Sequence, residues 1–278
     1  MRLDTAMNTL TDAEVAIRAV EAGAAVVRAT FGTAVNRFAK SATDFATEAD
    51  LASERAILEV IGSLRPGDAV IGEEYGAIGQ AARTWLVDPL CGTVNFAARS
   101  PMFAVNVALP DSGTTVAAVA QPLTGEVFWT DGTAVNVRRD GTDSPATCSA
   151  TSRLVDVDID ATPGEDFLGA QLLTDEAFRA AFALRVCSTA LTLAWVAVGR
   201  HAGYLTNGPL VDSVHFTAGT ALCQAAGGVV TDFRGDPLHT GPGLVAAADA
   251  TTHRRLLELI APHLDGAVSG TRGGSSGD

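Results

Sequence analysis

Between Trp85 and Phe96 the chain reads Trp-Leu-Val-Asp-Pro-Leu-Cys-Gly-Thr-Val-Asn-Phe, setting a carboxylate, Asp88, three residues before a thiol, Cys91, with Gly92 and Thr93 following. Aspartate is a hard oxygen ligand for metal ions, and cysteine is a nucleophile or a softer ligand. A second acidic group, Glu73-Glu74, comes directly after Ile71-Gly72. The remaining thiols, Cys148, Cys187 and Cys223, are far apart with no C-x-x-C pair, so neither a disulfide framework nor a zinc ribbon is indicated. Cys187 and Cys223 lie in apolar stretches and read as packing residues. His201, His239, His253 and His263 are scattered and read as surface residues or loop contacts.

The bulk of the chain must position these groups. Its 278 residues, 47% hydrophobic and 18% charged, describe an ordinary globular protein with room for one large core or two modest ones. A formal net charge of -13 without any Lys/Arg run repels phosphate backbones, so no nucleic acid is expected as a partner and a small-molecule substrate is. No apolar run approaches the ~20 residues that cross a bilayer. The start, Met1 to Ala13, lacks a basic region followed by an apolar one, so no membrane association and a cytoplasmic location are expected.

Thr11-Asp-Ala-Glu14 is a capping box ahead of a helix bearing Val15, Val20, Val26 and Val27, with Gly32 as its stop. A second helix is capped by Thr47, carries Leu51, Ile57, Leu58, Ile61 and Leu64, and ends at Pro66-Gly67. Strands are predicted over 69–71, 84–87, 103–109, 116–120, 126–129 and 134–137. From Gly141 to Glu165 the composition turns to Thr, Ser, Asp, Pro and Gly, which reads as a loop-rich crossover. Beyond it strands (184–186, 203–205, 229–232, 244–247) alternate with helices (190–198, 216–226, 251–260), an α/β pattern. The expected organisation is an N-terminal α+β half (1–145), a C-terminal α/β half (146–267) and a Gly/Ser-rich disordered tail (268–278).

Five segments resemble the inositol monophosphatase superfamily. Trp85 to Phe96 is similar to its W-x-x-D-P-[IL]-D-G-T-x-N-F signature, with Cys91 replacing the second aspartate. Asp44 to Asp50 resembles D-x-V-T-x-x-D, and Ile71 to Glu74 resembles I-G-E-E. Arg185 to Ala190 resembles R-x-x-G-[ST]-A with Ser188 for glycine, and Val214 to Gly219 resembles W-D-x-A-A-G with His215 for aspartate. The resemblance implies a layered α/β/α/β sandwich, a homodimer, and hydrolysis of a phosphate monoester by water activated on clustered Mg²⁺. It further implies that Glu73, Asp88 and the Leu90 carbonyl hold one ion, that Thr93 with Glu73 orients the water, and that Asp50 is a peripheral ion position. The N–H groups of Gly92 and Thr93, opening a helix, would cradle the phosphate. Arg185, Ser188 and Asp212 complete the expected substrate- or anion-binding set. The ligands of a second ion map to Asp88, Cys91 and His215, one carboxylate out of three. The residue that grips an inositol hydroxyl maps to Gly208, which has no side chain to do so.

Three readings follow from these replacements. In the leading one, Cys91 is a nucleophile activated by His215, which Asp88 or Asp212 orients, and the site, without a cofactor, carries out acyl transfer, thioester cleavage or cyclisation of a small metabolite. In the second, Asp88, Cys91 and His215 form a carboxylate, thiolate and imidazole set for Zn²⁺ or a related ion, and phosphatase activity survives. In the third, the chain is a non-catalytic binding protein.

Overall fold

The computed structural model describes residues 10–41, 45–111, 113–159, 168–208, 210 and 213–266. Helix α1 (Asp12–Thr30) starts where the Thr11 hydroxyl accepts the Glu14 N–H, and the chain leaves it through Gly32 at φ 79°. A short antiparallel pair, β1 (Arg37–Ala39) with β2 (Phe45–Thr47), precedes α2 (Glu48–Leu64). Thr47 caps α2, and Asp50 closes the capping box by accepting the Thr47 N–H at 2.8 Å.

The first large sheet holds β3 (Ala69–Gly72), β4 (Gly76–Ile78), β5 (Thr84–Cys91), β6 (Ala104–Asp111), β7 (Thr114–Gln121), β8 (Glu126–Thr130), β9 (Val135–Arg139) and β10 (Thr142–Ala146). Its spatial order is β10-β9-β8-β7-β6-β5-β3-β4, antiparallel except where β3 runs beside β5. The five-residue helix α3 (Thr93–Ala97) follows β5. Helices α1 and α2 cover one face through Val15, Ile17, Val20, Ile57 and Ile61, packed on Trp85, Phe103 and Val105.

The second sheet is built from β11 (Leu154–Val157), β12 (Ala183–Val186), β13 (Gly203–Thr206), β14 (Val229–Thr231) and β15 (Leu244–Ala247), in the order β12-β11-β13-β15-β14. Between β11 and β12 lie α4 (Leu168–Thr174) and α5 (Glu176–Ala181). Helices α6 (Leu191–Ala197) and α7 (Thr217–Ala225) fill the space between the sheets, where Leu191, Leu193 and Leu222 meet Leu86, Phe128, Tyr204 and Leu244 in one cluster. Helix α8 (Ala250–Gly266) packs with α4 and α5 on the outer face, where Leu256 and Ile260 meet Leu172 and Phe178. The expected α/β/α/β layering is present, with this outer helical layer added.

Sequence patterning misses the short elements β1, β2, β4, α4 and α5, and two further strands. The predicted crossover at 141–165 contains β10 and β11. Strand β10 is an exposed edge strand with Pro145, which a sheet edge tolerates, and so carries no apolar alternation. Strand β11 looks polar because Asp156 is buried against the imidazole of His201, which is itself buried and tilted over Trp195 rather than on the surface. Cys187 is only partly buried, and Cys223 is fully buried as expected.

His253 is buried too, 2.7 Å from the Thr231 hydroxyl, and burial lowers its pKa below the ordinary 6.5. The unfolded chain therefore binds the extra proton below pH 6.5, so this contribution to stability is complete above 6.5 and is lost as pH falls toward the lowered native value. His253→Gln is expected to flatten the decline in urea stability between about pH 7 and pH 5. An unchanged slope in the variant would contradict the assignment.

Candidate active site

Regular pleating sends residues three apart to opposite faces of a sheet. Asp88 nevertheless pairs with Asn106 and Cys91 with Ala104, because the register between β5 and β6 shifts between these two positions. This bulge, at Pro89-Leu90, brings Asp88 and Cys91 to the same face, the one turned toward α6 and α7. Asp88 is fully buried, with one oxygen accepting the Leu90 N–H (3.1 Å) and the other 2.8 Å from Nδ1 of His215. His215 enters from the turn before α7, its side chain 41% exposed. One ligand atom from each of Asp88, Cys91 and His215 lies within 4.8 Å of the others.

The Ile71-Gly-Glu-Glu74 turn brings further acid. Buried Glu54 of α2 accepts the N–H groups of Glu74 (2.8 Å) and Tyr75 (3.0 Å), and the Glu73 N–H donates to the Val87 carbonyl (3.1 Å). Lys40, the single lysine, places Nζ 2.8 Å from Glu73 Oε1 and 2.6 Å from Glu74 Oε1. Glu74 is thus a covered partner of Lys40 and not a solvated neighbour. Burial, with the nearby charge of Asp88, pushes Glu73 up to about 8 against the opposing pull of His215 and Lys40. Burial works against a charged His215, yet the Asp88 hydrogen bond and the charges of Asp88 and Glu73 prevail and lift it to about 9. Carboxylates crowded in this way, without enough positive charge to balance them, suit a cation.

The Thr93 hydroxyl sits between Asp50 Oδ1 (2.9 Å) and the Leu90 carbonyl (3.0 Å) and can donate to one of them at a time. Asp50 is fully buried, its second oxygen held by the Thr47 N–H and hydroxyl, so the expectation of a peripheral ion position gives way to a partner for Thr93. Burial raises its carboxyl to about 6, against the hydrogen bonds from Thr47 and Thr93. The pairing of Thr47 with Asp50 is legible as a capping box, but its reach to Thr93 is not.

Ser188 donates to Asp158 Oδ1 (2.6 Å), whose other oxygen accepts from Tyr204 (3.0 Å) and Thr206 (3.1 Å). Sequence reasoning missed this buried group, since a lone Asp in Val-Asp-Val-Asp carries no mark of it. Asn106 was missed as well, although its signal is simple: an amide between two valines of a buried strand. Arg185 is exposed on edge strand β12 and donates to the Leu184 carbonyl (2.7 Å). Asp212 lies outside the described residues. Gly92, at φ 101°, caps a helix of only five residues, too short to supply much of a helix dipole.

These facts undo the nucleophile expected at Cys91. The orienting contact between Asp88 and His215 exists, but Cys91 is 9% exposed, and burial, then the charge of Asp88, drives its thiol well above the ordinary range. The Ala190 N–H, 3.1 Å from Sγ, pulls the other way without prevailing. Iodoacetamide is therefore expected to modify Cys91 at least about tenfold more slowly than a model thiol at neutral pH, by intact mass and peptide mapping. Modification at the model rate would restore the nucleophile.

Two α/β layers, with acid, thiol and imidazole gathered where they meet in a set that could hold a metal ion, define the class of this protein. The chain belongs to the inositol monophosphatase family, whose model matches residues 9–269. It is 33% identical over 235 residues to the Nus factor SuhB of Pasteurella multocida, covering 81% of this chain and 85% of the relative. To the inositol-1-monophosphatase of Caulobacter vibrioides it is 31% identical over 240 residues, 80% and 89% of the two chains. The fold matches the crystal structure of the suhB protein of Bartonella henselae with a TM-score of 0.78 at 24% identity, over 88% of this chain and 96% of that one. The acyl transfer, thioester cleavage or cyclisation expected from sequence is thereby corrected: these relatives bear phosphatase or Nus-factor names, and the buried thiol does not support the chemistry.

Proposed function

We propose that the chain is a metal-dependent phosphoric monoester hydrolase acting on a small phosphate ester. The observation that carries the reading is the convergence of Asp88, Cys91 and His215 within 4.8 Å, beside Glu73 and the Thr93–Asp50 pair. The donor set fits a cation, because the residue paired with Asp88 across the ladder is a buried amide, Asn106, whose Oδ1 has no hydrogen-bond partner among the described residues. The cofactor-free site expected from sequence is replaced accordingly. Asp88, with Glu73 or with Cys91 and His215, would hold a divalent ion, which would supply positive charge against the phosphate ester and acidify water.

The chain's own groups do the rest. The Thr93 hydroxyl, held by Asp50 and the Leu90 carbonyl, is fixed to orient an attacking water, and the Gly92 and Thr93 N–H groups are free of helical partners to meet a phosphate. A polyol is not the favoured leaving group. A Cβ at Gly208 would lie 3.0 and 3.1 Å from ring atoms of Phe216, so an aromatic edge occupies the space where the resemblance places a hydroxyl-binding acid. The test is inorganic phosphate release from inositol 1-phosphate and from an aryl phosphate, with Mg²⁺, Mn²⁺ and Zn²⁺ supplied in turn. Turnover that requires an ion and favours the aryl ester is expected. Folded protein that releases phosphate from no ester with any ion would refute the reading.

A further inference from the structure

We propose that Asp88, Cys91 and His215 form a thiolate-containing site that takes a borderline ion of the Zn²⁺ class in preference to Mg²⁺, with the Asn106 amide as its inner wall. This deepens the hydrolase reading and rests on it for the site's purpose. Mg²⁺ demands octahedral oxygen ligands and gains nothing from sulfur or imidazole, whereas Zn²⁺ binds carboxylate, thiolate and imidazole tetrahedrally. In such a site ligand atoms stand about 3.5 Å apart, and the three here are already within 4.8 Å of one another.

The fold builds the set in one place. The register shift between Asp88 and Cys91 turns the thiol to the carboxylate's side of the sheet, where a regular strand would send it away. The Ala190 N–H points at Sγ from 3.1 Å, the kind of outer hydrogen bond that stabilises a metal thiolate. Asn106, directly opposite Asp88 in the ladder, is 0% exposed, and neither its Oδ1 nor its Nδ2 has a partner among the described residues. A buried amide is rarely left so, and an ion or its water beside Asp88 would satisfy the Oδ1 acceptor. Asp88 and Cys91 are closed off while His215 is 41% exposed, so three protein donors leave one side open, as in a catalytic zinc site. Glu73, engaged by Lys40, is not needed for this set. On binding, the Cys91 thiol and the protonated His215 ring each release a proton to solvent, and the freed sulfur and nitrogen lone pairs are shared with the ion.

The test is a Co²⁺ titration of the full chain after chelator treatment. A sulfur-to-cobalt charge-transfer band at one equivalent is expected, removed by one equivalent of Zn²⁺ and untouched by a large excess of Mg²⁺. Cys91→Ser should abolish the band and weaken Zn²⁺ binding about 100-fold, and Asn106→Ser should weaken it about tenfold, with folding checked by circular dichroism. No band in the wild-type chain, or displacement of Co²⁺ by Mg²⁺ as readily as by Zn²⁺, would overturn the site. Mg²⁺-supported phosphate release without the band refutes this inference and leaves the hydrolase reading standing. The band without phosphate release under any ion does the reverse.

Discussion

Thr93→Val is expected to lower kcat for phosphate release by about 10²–10⁴-fold while leaving divalent-ion affinity within about threefold, because it removes a hydroxyl that handles water and no ion ligand. The hydroxyl is held from two sides, by Asp50 Oδ1 at 2.9 Å and the Leu90 carbonyl at 3.0 Å. Valine keeps the shape and loses both contacts. Thr93→Ser restores the hydroxyl and should recover most of the rate. Steady-state kinetics with an aryl phosphate, paired with ion titrations, separates the two effects. A valine variant that turns over within about twofold of the parent would remove Thr93 from the reaction.

The second large effect is on stability. A Cβ on residue 72 would stand 1.9 Å from Glu54 Oε1 and 2.5 Å from its carboxyl carbon, so Gly72→Ala must displace a fully buried carboxylate. That carboxylate accepts the Glu74 and Tyr75 N–H groups and fixes the turn bearing Glu73. Leaving buried polar groups unpaired costs about 1–3 kcal/mol each, so a loss of roughly 3–5 kcal/mol is expected in urea unfolding. Because the damage passes through Glu54, Gly72→Ala combined with Glu54→Ala should cost less than the sum of the two. Strict additivity, or a single-variant loss below about 0.5 kcal/mol, would show that Glu54 moves aside freely.

Local structure was legible because local interactions set it. The caps at Thr11 and Thr47, the apolar stripes of α1 and α2, and six strands of the first sheet follow from neighbours a few residues away. Strands β10 and β11 were not legible: an exposed edge needs no apolar face, and a buried Asp156 needs a His201 that the sequence cannot place beside it. Family membership was also written in the sequence, since the motif from Trp85 to Phe96 survives its one replacement.

What the sequence could not decide is what the replacements do. Asp88 and His215 are 127 positions apart, and only packing of β5 against the turn before α7 makes them a pair. Sequence spacing alone would put Cys91 on the far face of β5, and a shift of register returns it to Asp88. Burial, and after it the charge of Asp88, suppresses the free thiolate, which supports the ligand set proposed above. Residue types and their order therefore determined the fold and the candidates. Burial and electrostatics weighed against the nucleophile, because charge acts through space and burial, both of which exist only once the sheets have closed.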